Sequence, residues 1–192
     1  MAALIAGLVL FLGTHSVRIF ADDWRSARIA SMGEGPWKGL YSVLSAAGLA
    51  LVVWGYGATR AAPVDLWYPP VWLAHVAALL TLPAFILVAA AYVPGNHIRN
   101  AVGHPMVAGV KLWATAHLLC NGRLGDVILF GSILAWAVLD FISSRRRDRA
   151  AGRRYSFATG PRLAVTVVAG VASWAVFAFY LHGVLIGVRP FG

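Results

Sequence analysis

Six apolar blocks divide this chain, Ala2–Phe20, Gly39–Ala58, Val71–Val93, Pro105–Asn121, Val127–Ser143 and Leu163–Val188. Each comes close to the ~20 residues that a helix needs to cross ~30 Å of hydrocarbon. With 60% hydrophobic and 12% charged residues in 192, the chain is too apolar for a soluble domain of its length. The expectation is an all-α, polytopic transmembrane helix bundle of about six spans. It should form a single domain over residues 1–192, without internal repeats. The first block reads as a retained span and not as a signal peptide, because its first charge, Arg18, follows the apolar stretch instead of preceding it.

The net charge of +9 raises the question of nucleic acid, and the placement of the basic residues answers it. Arg145, Arg146, Arg147, Arg149, Arg153, Arg154 and Arg162 lie between the fifth and sixth blocks, and Arg18, Arg25, Arg28 and Lys38 follow the first. This is the pattern of cytoplasmic loops under the positive-inside rule, so no nucleic-acid partner is expected. Both termini should then face the periplasm, with the chain in a bacterial inner membrane. Membrane lipid is the expected surrounding partner. The lone cysteine, Cys120, excludes an intrachain disulfide and a cysteine-based metal motif.

No phosphate-binding loop, no dinucleotide fingerprint and no paired carboxylates occur in the blocks, which leaves nucleotide and glycosidic chemistry without a basis. Histidine is what stands out. His15, His75, His104, His117 and His182 fall in or at the ends of spans, where ionisable groups are costly and mark function by default. A neutral imidazole is the usual protein ligand of b-type haem iron. The competing reading is that each imidazole merely hydrogen-bonds across helices. At ~1.5 Å of rise per residue, depth pairs His117 with His75 or His182, and His15 with His104.

The stretch Gly103–Gly122 holds two of these histidines and Lys111 in a single apolar run. Pro105 suits a first helical turn and Asn121-Gly122 a stop, so one helix is expected from about Pro105 to Asn121. At about 100° per residue, Lys111 lies near the line of His104, while Trp113, His117 and Asn121 gather elsewhere. Both sides of this helix should face protein. Lys111 either snorkels to the interface or meets a buried anion such as a haem propionate. A kink is expected at Pro83.

The sequence H-P-M-x-x-G-x-x-x-W-x-x-x-H followed by Asn-Gly, carried by His104, Pro105, Gly109, Trp113, His117, Asn121 and Gly122, resembles the hallmark of the NnrU family of bacterial membrane proteins. The resemblance extends over essentially the whole chain, through FLGTHSVR with His15, AAYVPG, LFGSILAWA and the arginine run. It implies an association with nitrite and nitric oxide reduction. That family is similar in turn to the zeta-carotene isomerases, which use haem b to isomerise a central cis double bond. The similarity implies His15 and His117 as axial ligands, a different pairing from the one depth gives. The isomerases carry a cysteine three residues before the second histidine, where this chain has Ala114.

The expected function is therefore a haem b-binding inner-membrane protein linked to denitrification. His15 and His117 would be its ligands, with His75 and His182 as alternatives. His104 and Trp113 would line the cofactor site, and Arg18, Lys111 or Arg28 would neutralise the propionates. A redox partner or reductase is the expected protein partner. Two other classes remain open: a haem-dependent cis-trans isomerase of a polyene such as a carotenoid, and a haem-free accessory protein that assists assembly.

Overall fold

The computed structural model describes residues 1–155 and 158–191. Among them the fold is all-helical: α1 Ala2–Phe20, α2 Asp22–Met32, α3 Glu34–Ala61, α4 Trp72–Tyr92, α5 His97–Val102, α6 Pro105–Cys120, α7 Leu124–Ala150 and α8 Gly160–Val176. After α8 come a π-helical turn, Phe177–Leu181, and α9, His182–Ile186. Only helices satisfy their own backbone hydrogen bonds in hydrocarbon without closing a barrel. Among the described residues, five segments are long and apolar enough to cross a membrane: α1, α3, α4, α7 and the run Gly160–Ile186. The chain is a membrane protein.

The helix ends refine the sequence reading. The connection expected over residues 21–38 is itself largely helical, because Gly33 at φ 86° breaks it into α2 and the start of α3. The helix expected from Pro105 to Asn121 runs over Pro105–Cys120 with Asn121 as its C-cap. Its 16 residues span roughly 24 Å, so it is a short companion to the five long segments. Pro83 sits inside a continuous α4.

The chain forms two compact units, Met1–Tyr68 with Gly122–Asp140, and Pro69–Asn121 with Phe141–Gly192. In the first unit α1 lies against α3, and the contact is made by glycine. A Cβ built on Gly48 would stand 2.7 Å from the backbone N of Phe11, and one on Gly7 would stand 2.6 Å from the backbone N of Val52. Gly55 meets the backbone of Leu4 in the same way. Lipid tails are as apolar as leucine, so membrane helices associate through such close backbone approach and through hydrogen bonds. One of the latter closes one end of this unit, where Tyr56 donates to Asp126 at 2.6 Å.

In the second unit α4 packs against both α6 and α8. Small residues again set the spacing: a Cβ on Gly109 of α6 would fall 2.7 Å from the Ala84 carbonyl, and one on Gly170 of α8 2.6 Å from the Ile86 Cα. Trp174 of α8 donates to Thr81 of α4 at 3.1 Å. Asn96, directly after the AAYVPG segment, is fully buried. Asn96 caps α5 by accepting from the Arg99 N–H at 2.7 Å and donates to the Ala90 carbonyl at 2.9 Å, which stitches the end of α4 to the start of α5.

Gly48→Val should therefore separate α1 from α3, at a cost of about 1–3 kcal/mol. Gly57→Val, on the same helix with nothing within 4 Å of where its Cβ would stand, should leave stability within ~0.5 kcal/mol of the parent. Unfolding in detergent, followed by loss of helical circular dichroism, checks both; equal effects of the two substitutions would contradict the packing described.

Candidate functional site

His15 lies one helical turn after Phe11 on α1, close enough to reach the carbonyl four residues back. Its Nδ1–H donates to the Phe11 carbonyl at 2.7 Å. The half-buried ring lies against three others of the first unit: Phe11 with centroids 4.3 Å apart, Tyr41 of α3 at 5.2 Å, and Trp136 of α7 at 5.9 Å with planes 87° apart. Trp136 Nε1 is buried with no hydrogen-bond partner, and the Ser45 hydroxyl lies one turn beyond Tyr41 on α3. A buried donor left unsatisfied costs about 1–3 kcal/mol. A bound group offering an acceptor beside His15 would recover part of that.

His117 repeats the arrangement on α6 of the second unit. Its Nδ1–H donates to the Trp113 carbonyl at 2.8 Å, and its ring lies 4.7 Å from the Trp113 ring. The Asn121 side chain donates to the His117 carbonyl at 2.8 Å, which ends α6 and holds this turn. In both residues the proton is placed on Nδ1, so the lone pair resides on Nε2. This is the usual state of a metal-ligating imidazole, whose other nitrogen is held by a backbone carbonyl or carboxylate. Among the described residues no three His, Cys, Asp or Glu side chains gather into a metal-holding group of their own.

His104 belongs to a different constellation. It is the N-cap of α6, and its Nε2–H donates to Asp148 of α7 at 2.8 Å. The same carboxylate accepts from the Tyr155 hydroxyl and lies 3.5 Å from Arg153 Nη1. Asp148 is buried, so its three partners supply the compensation that a desolvated carboxylate needs. Gly103, at φ 80°, allows the chain to pass under this cluster: a Cβ there would meet the Tyr155 hydroxyl at 2.6 Å and Arg145 Nη1 at 2.7 Å. Lys111 shares the face of His104, as its spacing predicts, and its Nζ sits 3.8 Å above the ring of Phe141.

The remaining residues named from sequence are placed as follows. His75 is exposed on the first turn of α4. His182 follows the π-helical turn and donates from Nδ1 to the Val188 carbonyl at 2.7 Å. Arg18 lies 3.9 Å from Asp22, and Arg28 stacks over Trp24 at 6.0 Å. Sequence reasoning missed Tyr41, Ser45 and Trp136 around His15, which no local spacing connects. It also missed Asp148 and Tyr155. A signal for Asp148 did exist, since it is the single acid within the run RRRDRAAGRR.

Burial raises the Tyr155 phenol above its ordinary value of 10.0, and the hydrogen bond to Asp148 and that carboxylate's charge push it further up. The stabilisation from this proton is fully present below pH ~10 and is lost as pH rises through the raised value. Asp148→Asn removes the charge, so Tyr155 should then ionise closer to the ordinary tyrosine range. Ultraviolet phenolate titration, with Tyr155→Phe identifying the signal, checks this. No change on Asp148→Asn would contradict the contact.

The family model described as NnrU protein matches residues 3–190. No curated protein and no solved structure matches the chain. The match takes in both helices that carry the His15 and His117 arrangements, along with the His104–Asp148 cluster, and with nearly every residue covered the chain belongs to the NnrU family.

Proposed function

We propose that this NnrU-family membrane protein binds haem b through His15 and His117 and serves a redox or gas-linked step of nitrogen-oxide metabolism. The observation that carries this reading is the repeated geometry of the two imidazoles. Each gives its Nδ1–H to the carbonyl one turn back, 2.7 Å for His15 and 2.8 Å for His117, and so carries its lone pair on Nε2. When bound, a haem iron held by two histidines supplies one-electron transfer at a potential set by its ligands and surroundings.

The chain's own contribution is to orient those two rings and to wall the space beside them. Phe11, Tyr41 and Trp136 lie against His15, which covers part of the ring and lowers the local dielectric. Trp113 braces His117. His104 is spent differently: its Nε2 is committed to Asp148, so the depth-based pairing of His15 with His104 has less to support it. The exposed cations Arg18 and Arg28, together with Lys111, stand as the residues to neutralise propionates. The nitrogen-oxide role follows from the family resemblance and not from the geometry.

Replacing either His15 or His117 with Ala should lower haem content per purified chain by on the order of 10- to 100-fold or convert its low-spin spectrum. His75→Ala and His182→Ala should leave both largely intact. An unchanged spectrum in His117→Ala would sink the proposal, and the absence of a Soret band in the parent would favour the haem-free accessory role. The orientation belongs to the same reading: the arginine run in the cytoplasm, both termini in the periplasm. A reporter within residues 145–154 should read cytoplasmic, and one after Gly192 periplasmic; reversed signals would invert the topology.

A further inference from the structure

The arginine run is more than a topological signal, because the fold presents it as a built surface of the second unit. From Leu124, ~20 residues of α7 suffice to cross ~30 Å of hydrocarbon. The helix has 27 residues, so its last turns, from about Arg145 onward, stand at the level of the lipid headgroups. Six arginines, Arg145, Arg146, Arg147, Arg149, Arg153 and Arg154, are set there against one acid, Asp148.

That acid is turned inward. Asp148 is buried and takes His104, Tyr155 and Arg153 as partners, so its charge is consumed within the fold. Arg147 is likewise engaged, donating to Ser143 and Ser144 at 2.7 Å each. Arg146, Arg149 and Arg154 are exposed. The chain does not trail away after α7. Gly152, at φ 58°, closes the helix with its N–H on the Arg149 carbonyl at 3.1 Å, and the Arg153 N–H returns to the Asp148 carbonyl at 2.9 Å. The Tyr155 hydroxyl then fastens the returning strand to Asp148. Arg153 and Arg154 are thereby brought back beside the end of α7 and held in place.

We propose that this surface is a binding site for anionic phospholipid headgroups, with Arg146, Arg149 and Arg154 as the residues that contact phosphate. The occupant is lipid because the site lies where a membrane-crossing helix leaves hydrocarbon, so the acyl chains can remain in the bilayer while the headgroup meets the guanidinium groups. Guanidinium presents paired N–H donors that match phosphate oxygens. Each basic residue at such a surface raises affinity by on the order of fivefold. The inward commitment of Asp148 is what prevents a carboxylate from competing for the same donors.

The test uses the full chain purified in detergent and incubated with phosphatidylglycerol or with phosphatidylcholine of the same acyl chains. Bound lipid per chain is read by native mass spectrometry at two salt concentrations. The expected result is preferential, salt-sensitive retention of phosphatidylglycerol, by on the order of 100-fold, which is largely lost in R146Q/R149Q/R154Q. Equal retention of the two lipids would overturn the proposal, as would a triple variant that binds like the parent. Displacement of phosphatidylglycerol by millimolar inorganic phosphate would assign the site to free phosphate and overturn the lipid as its occupant. Should the triple variant fail to accumulate, R149Q alone is read, with about a fivefold loss expected and no loss overturning the proposal.

Discussion

A polar atom inside hydrocarbon has no water to turn to, so each buried donor must find its acceptor within the protein or within a bound group. The side chains of this chain obey that constraint by reaching back along their own helices. Thr14, His15, His117 and Thr166 each bond the carbonyl four residues earlier. For threonine this merely hides a hydroxyl. For histidine it does more, because satisfying one ring nitrogen decides the chemistry of the other. The bond that makes an imidazole tolerable in a membrane helix also leaves the lone pair on its other nitrogen.

The same scarcity of driving force explains the glycines. Without water to expel, α1 and α3 gain little from burying leucine against leucine and must instead bring their backbones close. Gly7, Gly48 and Gly55 permit that approach, and the close pair forms one wall of the space in which His15 sits with Tyr41. Packing and site are thus coupled. A helix spacing set by missing side chains determines how near the Tyr41 ring stands to the imidazole.

The sequence displayed what repeats locally and concealed what does not. Helix α1 was legible to the residue, and the ends of α6 to within one, because apolar runs, Pro105 and Asn121 are local signals. The shared face of His104 and Lys111 was likewise legible from a seven-residue separation. The helical character of residues 22–32 was not, since a polar stretch between spans reads as a loop until its hydrogen bonds are seen. The surroundings of His15 come from α3 and α7, at positions 41, 45 and 136, and no periodicity links such distant residues. Asp148 was hidden for a different reason: among arginines it reads as part of a solvated charge run, whereas the fold turns it inward toward His104.

The proposed electron-transfer role and its rival, isomerisation of a polyene, differ in what they would ask of a thiol. The resemblance to zeta-carotene isomerases implies a cysteine three residues before the second histidine, and chemistry that used that sulfur would need it on that turn. Here the position is Ala114, whose methyl group is fully buried and has no lone pair to offer. Cys120 is no replacement. It lies three residues after His117 instead of before it, its thiol faces the His117 carbonyl at 3.8 Å, and its sulfur accepts from the Asn121 amide at 3.3 Å. Its contacts belong to the cap that ends α6. A ligand-switching isomerase built on this chain would have to release that cap to bring sulfur toward the imidazole. The proposed histidine ligation needs no such movement, since each ring already has its Nδ1–H set on a backbone carbonyl of its own helix.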